Sequence, residues 1–548
     1  MKRLFTVKAP AIVTAIVLGF SLCAGGCSRQ AVVDEMGNSN PISIDPAPVT
    51  EYVDDAGNPV LPEWQGGTGI SEAELERYGA EYAQKVIDNA QPSDQNKSTP
   101  QIPDIIPKDP VIDSPASPSD SGSPKTAPVD SGESTSPEES LPHNQDENMP
   151  VTTNEYYSLP VMSIDTGGTA IVSKSEYINA KVTITNTDAN NCITEVTAGI
   201  RGRGNSTWAL FDKKPYRIRF DSNIDLFGMG KARSYVLLSN NMDMTLMRNY
   251  LAFKLSDIME IEYNSGYQWI NVYLNGEYAG LYLLTEQVQT GNNRVDIDPS
   301  TVGALDTGYL IELDGTGNAE GHPYFRLNKV ENRLPGVANW RDQFVCTIKG
   351  PDQNVNKQQV EYIKDYIDRA NAAILTGSWQ QMTALLDIDS FVNAFLVNSL
   401  LLNSDAGWQF YVYKKQGGKL HLGPIWDFDQ SMGSSTHGGT GYTGWFCGTV
   451  FPWGDALLQI PEFMSLVKER YNQKLPQIKE LVSVIDQCVN DYSFDIAMNN
   501  LRWPIMGTDY WRCPPEFLNK TDYQWHTDFL KNWLTNRLEH YTSLVNQL

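Results

Sequence analysis

The chain has 548 residues, with 42 Lys+Arg against 66 Asp+Glu, a formal net charge of −24 and 41% hydrophobic residues. At roughly 100 to 200 residues per domain, this length leaves room for two to four domains or for one large domain with a tail. The acid excess argues against a nucleic-acid partner, whose phosphates demand a basic surface, while 13 Trp and 10% aromatic residues exclude a wholly disordered acidic polymer.

The chain opens with Lys2, Arg3 and Lys8 followed by an apolar run over residues 9–22. This is the pattern of a secretory signal peptide, too short and wrongly flanked for a membrane-spanning helix. It ends in Leu22-Cys-Ala-Gly-Gly-Cys-Ser28, small residues before a cysteine as in a bacterial lipobox. The expectation is a signal over 1–27, lipidation of Cys27 and attachment to the extracytoplasmic face of the cell membrane. Ala24 stands where Leu is usual, so simple secretion is the alternative.

Residues 28–150 contain 23 Asp+Glu and 6 Lys+Arg, a net of −17, and residues 91–150 hold 12 Pro and no Phe, Trp or Tyr. Such a segment cannot bury enough apolar area to offset chain entropy, so it reads as a disordered acidic Pro/Ser-rich linker. Within it, Ser71 with Glu74 resembles a capping box, and Leu75, Tyr78, Tyr82 and Val86 recur at helical spacing, which predicts a short helix over 71–89.

Residues 151–548 carry only −10 and 12 of the 13 Trp. Strand-like alternation appears over 181–185, 216–220, 235–238, 269–273 and 280–284, with the hairpin signal Asn275-Gly276 between the last two. A helical apolar face covers 244–259, and further helices are expected over 360–375, 388–402, 461–475 and 525–548. A β-rich first lobe with one inserted helix, then a mostly helical second lobe, predicts an α+β, two-lobed domain. The cysteines outside the signal, Cys192, Cys346, Cys447, Cys488 and Cys513, form no CxxC pair, and their spacing forces no disulfide.

Three segments could carry chemistry. In Ile200-Arg-Gly-Arg-Gly-Asn-Ser-Thr-Trp208, glycines allow close backbone approach, and successive amides with the Ser206 and Thr207 hydroxyls can cradle phosphate oxygens. Lys214 or Arg217, just beyond, could add positive charge. Read alone, such a segment is more often a plain hairpin loop. In Asn403-Ser-Asp-Ala-Gly-Trp-Gln409, Asp405 lies in a loop between helix and strand, where it can accept a hydroxyl proton or close an Asx-turn. In Trp426-Asp-Phe-Asp-Gln-Ser-Met432, Asp427 and Asp429 would converge on one side of an extended backbone, a donor set suited to Mg²⁺ with substrate phosphates or simply facing solvent.

Taken in order, these segments are similar to those of the spore coat protein H (CotH) family of atypical, protein-kinase-like enzymes, over about 155–548. Supporting them are Lys213-Lys-Pro-Tyr-Arg-Ile-Arg-Phe220, Asp243-Met-Thr-Leu-Met-Arg-Asn249, Val272-Tyr-Leu-Asn-Gly-Glu-Tyr-Ala-Gly-Leu-Tyr-Leu-Leu-Thr-Glu286 and Lys349-Gly-Pro-Asp352. The resemblance implies a two-lobed kinase-like fold that transfers the γ-phosphate of ATP, with Mg²⁺ or Mn²⁺, to Ser or Thr of protein substrates. It implies that Gly202, Gly204, Asn205, Ser206 and Thr207 cover the phosphates, that Lys214 and Arg217 contact them, and that Arg248 takes part from the inserted helix. Glu286 to Val288 would lie at the hinge beside the adenine. Asp405 would be the general base, Asp427 the principal metal ligand and Asp429 close behind. Gln409 stands where family members often carry Asn, a position that could hold a second metal ion.

Other classes find less support: HExxH, CxxC and GxSxG are absent from the sequence. A kinase-fold surface protein that binds without turnover is the alternative function. A carbohydrate-active site using Asp405 and Asp427 as acid and base is a further one. Among protein substrates, the serines of the chain's own linker, Ser114 to Ser140, would profit from a high effective concentration; a bare spacer is the simpler role.

Overall fold

The computed structural model describes residues 157–297, 304–314, 321–337, 344–351, 355–407, 409–446 and 453–548. The expected signal with Cys27, the acidic linker and the short helix over 71–89 lie outside the described residues.

Seven strands close into a barrel: β1 (Val161–Asp165), β2 (Ile178–Thr185), β3 (Ile193–Gly202), β4 (Tyr216–Ile224), β5 (Ala232–Leu238), β6 (Tyr267–Leu274) and β7 (Glu277–Glu286). The order around it is β1-β2-β3-β4-β5-β7-β6, and the parallel pairing of β1 with β6 completes the ring. The alternation read in the sequence is what fills it. Tyr216, Ile218 and Phe220 of β4 join Ile200, Leu237, Ile270, Tyr282 and Leu284 inside. Asn275 and Gly276 both have positive φ, the geometry of the tight β6–β7 hairpin.

Outward residues form rows across neighbouring strands. One runs Arg201, Arg217, Val236, Thr285, Tyr267. Val236 packs in the large core shared with the helical part, so this outer face is turned toward that part. The short helix α1 (Ser206–Leu210) lies in the β3–β4 connection, and α2 (Arg248–Ile258) lies between β5 and β6. Met244 to Met247, expected at the head of that helix, precede it, because Leu246 has φ +64°.

The second part is less helical than the sequence suggests. A five-stranded sheet of order β12-β11-β8-β10-β9 is built from β8 (Tyr309–Asp314), β9 (Tyr324–Arg326), β10 (Val345–Gly350), β11 (Gln409–Lys414) and β12 (Leu420–Leu422). Its central strands are buried on both faces, as in Tyr309 to Leu313, so they lack the alternation that betrays a half-buried strand. Around it stand α3 (Lys357–Leu375), α4 (Trp379–Leu385), α5 (Ile388–Leu400), α6 (Gly454–Leu457), α7 (Pro461–Asp491), α8 (Ser493–Arg502) and α9 (Tyr523–Asn546). Asn356 and Gln359 form a reciprocal capping box at the start of α3. Helix α7 runs through Pro476, where the sequence predicts a stop. Its apolar face continues with Ile478, Leu481, Ile485 and Cys488, all buried, and that burial outweighs the roughly 3 kcal/mol of an interior proline.

Helix α8 straps the barrel to the helical part. The Asp495 carboxylate accepts from the Ser158 and Leu159 amides at 3.2 and 3.3 Å, and Arg502 Nε donates to the Tyr278 carbonyl at 3.0 Å. The buried Lys213 Nζ donates to the Leu281 carbonyl at 2.6 Å and to Asn499 Oδ1 at 2.7 Å. Cys192, Cys346, Cys488 and Cys513 are free thiols, and Cys447 lies outside the described residues. Among the described residues no helix is long and apolar enough to cross a membrane.

Candidate active site

Three carboxylates converge where the two parts meet. Asp405 opens a single 3-10 turn after α5. It does not close an Asx-turn; Asn403 does that, its Oδ1 accepting the Asp405 amide at 3.1 Å. The Asp405 carboxylate instead accepts from Gln430 Nε2 and pairs with Arg512 at 3.3 Å, and Arg512 also donates to Gln430 Oε1 at 2.7 Å. Burial, reinforced by the charge of Asp427, pushes the Asp405 carboxyl up to about 7 against the pull of Arg512 and Gln430.

Asp427 and Asp429 come together, though not on extended backbone. Asp427 has φ +65°, so the segment after β12 turns rather than running on as a strand. Asp429 is buried and Asp427 half-buried. Burial raises both carboxyls; Asp427, Asp405 and Asp243 raise Asp429 further, and the positive charge of Arg203 opposes the shift on both. The segment is held by its backbone: Phe428 N donates to Asn249 Oδ1 at 2.8 Å, Ser434 Oγ to the Asp429 carbonyl at 2.7 Å and Ser404 Oγ to the Gln430 carbonyl at 2.6 Å. The side chains of the acids therefore stay free for another task. Facing solvent is not their state.

The expected helix contribution takes a different form. Arg248, at the head of α2, is fully buried and ion-paired with Asp243, and it donates to the Ser431 carbonyl at 3.0 Å and the Met432 carbonyl at 3.3 Å. Its guanidinium ties the helix to the segment that carries Asp427 and Asp429.

The glycine turn is shaped by packing. A Cβ on Gly202 would stand 2.4 Å from the Trp208 ring, and Gly204 has φ +82°, so both positions require glycine. Lys174 Nζ braces the turn on the Gly204 carbonyl at 2.8 Å and on Asn205 Oδ1 at 3.2 Å. Ser206 and Thr207 lie in α1. Lys214 Nζ donates to the Trp208 carbonyl at 2.8 Å, whereas Arg217 projects from the outer face of β4, beside Arg201. Arg201 Nε is buried and donates to no protein acceptor.

At the far end, Glu286 closes the barrel in an ion pair with Arg294 at 2.6 Å, and burial lifts its carboxyl to about 7 against that pairing. Val288 is buried in the main core. A cleft of about 200 Å³ is bounded there by Glu286 to Gln289, Tyr263 to Ser265 and Pro424, three residues before Asp427.

Gln409, at the start of β11, donates through Nε2 to Glu312, which also accepts from Tyr411 at 2.7 Å and pairs with Lys349 at 3.1 Å. An ionised carboxylate can only accept, so the amide nitrogen of Gln409 must face it, and Oε1 is left as the end available to a cation. Lys349, Glu312, Gln430 and Arg512 were not singled out from the sequence as site residues; Lys349 and Gln430 lay in motifs, while Glu312 and Arg512 carried no spacing signal.

Among the described residues no three of His, Cys, Asp and Glu form a metal cage of their own. No curated protein matches the chain in sequence. A family model described as CotH kinase protein matches residues 200–541, more than half of the chain and the stretch that holds the glycine turn, α2, Asp405, Asp427 and Arg512. With that match comes a kinase-like function in the broad sense, and the chain belongs to the CotH kinase protein family.

Proposed function

We propose that the barrel and the helical part act as the two lobes of an exported, membrane-anchored kinase that transfers the γ-phosphoryl group of ATP to Ser or Thr of a protein. The observation that carries this reading is the cluster of Asp405, Asp427 and Asp429, buried together with Arg203 as the positive charge facing Asp427 and Asp429. Buried acids with so little compensation favour a cation. Hard carboxylate oxygens suit Mg²⁺ or Mn²⁺, and such ions take one or two carboxylates plus substrate phosphates rather than a full protein cage. Asp427 and Asp429 would hold the ion, with Gln409 Oε1 as a further donor, and the ion when bound would neutralise phosphate charge.

In that reaction the bond from the γ-phosphorus to the bridging oxygen breaks and ADP leaves with that oxygen. A bond forms from the same phosphorus to the acceptor hydroxyl oxygen, whose proton passes to the Asp405 carboxylate. Gln430 and Arg512 hold that carboxylate in place. Of the two expected phosphate contacts, Arg217 would act from the strand face beside Arg201, and Lys214 would have to leave the Trp208 carbonyl. The cleft beside Glu286 to Val288 would receive the base. Cys27 would carry the lipid, and the linker serines are candidate acceptors.

Transfer of radiolabel from ATP to a generic or self substrate, with Mg²⁺ or Mn²⁺, tests the reading. Asp427→Ala should abolish the signal, and a signal unchanged by that substitution sinks it. Melting of the wild type should rise with Mg-ATP concentration; no rise at millimolar ATP would favour a binding protein without turnover.

A further inference from the structure

We propose that Arg203, the residue between the two turn glycines, supplies the positive charge that grips the phosphoryl group in transit. The proposal rests on the kinase reading above and assigns within it a catalytic residue that the family segments do not single out.

The turn delivers this side chain from a fixed root. Arg203 N donates to the Pro215 carbonyl at 3.2 Å and Gly202 N to the Ser173 carbonyl at 2.8 Å. Trp208 fills the space where a Cβ at 202 would stand, and the positive φ of Gly204 turns the chain immediately afterward. The glycines therefore do more than leave room for a ligand. They set the direction in which the one side chain between them departs.

That direction leads to the acids. The guanidinium lies over the Trp426 ring, 5.5 Å from its centroid, and Trp426 directly precedes Asp427. Its charge offsets the burial of both Asp427 and Asp429. Yet Arg203 is half-buried and its guanidinium makes no hydrogen bond or ion pair among the described residues. Five donors in a planar fork are thus held by a ring face only, beside the carboxylates expected to hold the metal.

Four neighbouring basic groups are committed elsewhere. Lys214 is bound to the Trp208 carbonyl and Lys213 is buried under α8. Arg248 is spent on Asp243 and two carbonyls, and Arg512 on Asp405 and Gln430. An arginine fork matches phosphate oxygens bidentately, and a ring stacked beneath it keeps the plane oriented without using its donors. As the phosphoryl group moves from the bridging oxygen of ATP to the acceptor oxygen, with the proton going to Asp405, charge spreads over its three remaining oxygens, which is where such a fork acts.

The test is steady-state kinetics of the full chain with Mg-ATP, comparing wild type, Arg203→Ala, Arg203→Lys and Asp427→Ala. Arg203→Ala should lower kcat by about 100-fold or more while changing the KM for ATP by less than about tenfold. Arg203→Lys should recover part of the rate, and added guanidinium ion at millimolar concentration should partly rescue Arg203→Ala. The nucleotide-free melting temperature should fall only modestly, since the side chain gives up a ring contact and a charge facing the acids but no hydrogen bond. If Arg203→Ala turns over within about threefold of an active wild type, or if its loss lies wholly in KM, Arg203 does not serve the transition state. If the wild type neither transfers label nor melts higher with Mg-ATP, the kinase reading itself fails and the proposal falls with it.

Discussion

Arg248→Met should be among the more damaging single substitutions in the domain, and its cost can be worked from the structure. The Arg248 and Asp243 side chains are each 1% exposed. Removing the guanidinium leaves Asp243 with the Arg248 amide at 2.7 Å, the Thr245 amide at 3.0 Å and Thr245 Oγ1 at 2.6 Å, but without its counter-charge. It also strips donors from the Ser431 and Met432 carbonyls. Breaking a buried pair from one side costs about 3–5 kcal/mol. At roughly 2 cal/mol/K per residue over about 390 residues, this corresponds to a fall of roughly 4–6 °C in melting temperature. Scanning calorimetry with guanidinium denaturation would measure it. The double variant Asp243→Leu with Arg248→Met should recover part of the loss, because the uncompensated charge is gone. A single variant within about 1 °C of wild type would refute the reasoning. So would a double variant no more stable than the single one, which would show that the cost lies in the stripped carbonyls.

Three further outcomes follow from particular contacts. Gly202→Ala should cost about 1–3 kcal/mol through overpacking against Trp208, and Trp208→Leu in the same chain should relieve it; chemical denaturation of the three variants decides. Lys213→Met should change how stability depends on pH. Burial lowers the Lys213 pKa well below its usual value, so between the folded and unfolded pKa values the unfolded chain holds a proton that the folded chain has released, and wild-type stability rises with pH there. The Met variant lacks that slope, so its stability relative to wild type should decline as pH rises toward the unfolded-state pKa; a constant difference would contradict this. Glu312→Gln should raise the metal concentration needed for half-maximal transfer, because a neutral amide no longer dictates which end of Gln409 faces it; an unchanged metal titration would place Gln409 outside the metal site.

Much of the barrel was legible because its strands are half-buried. In Tyr216 to Phe220 the apolar residues fall at every second position, and Asn275-Gly276 announced its own turn. Strands β8 and β10 were not, since a strand buried on both faces reads as a plain apolar run. Proline misled at 476 for a related reason: a local rule predicted a stop, while distant packing along α7 carried the helix on. At the site, Asp405, Asp427 and Asp429 were found from residue type and loop context. Their partners were not: Gln430 sits in the motif of Asp427 and Asp429 yet turns back to Asp405, and Arg512 reaches Asp405 across the fold with no fixed spacing to any motif.

The sequence by itself determined where the acidity lies, which residues are candidates for chemistry and, through ordered motifs, the family. These are local properties, set by composition and by runs of a few residues. Only the tertiary structure decided which basic groups stand free. Lys213, Lys214, Arg217, Arg248 and Arg203 look alike as positive charges along a chain. Folding commits Lys213, Lys214 and Arg248 to carbonyl oxygens and, for Arg248, to a buried acid, and it sets Arg203 over Trp426 beside the carboxylates. A charge becomes available or occupied according to what the fold brings within hydrogen-bond reach, and no pattern along the chain encodes that distance.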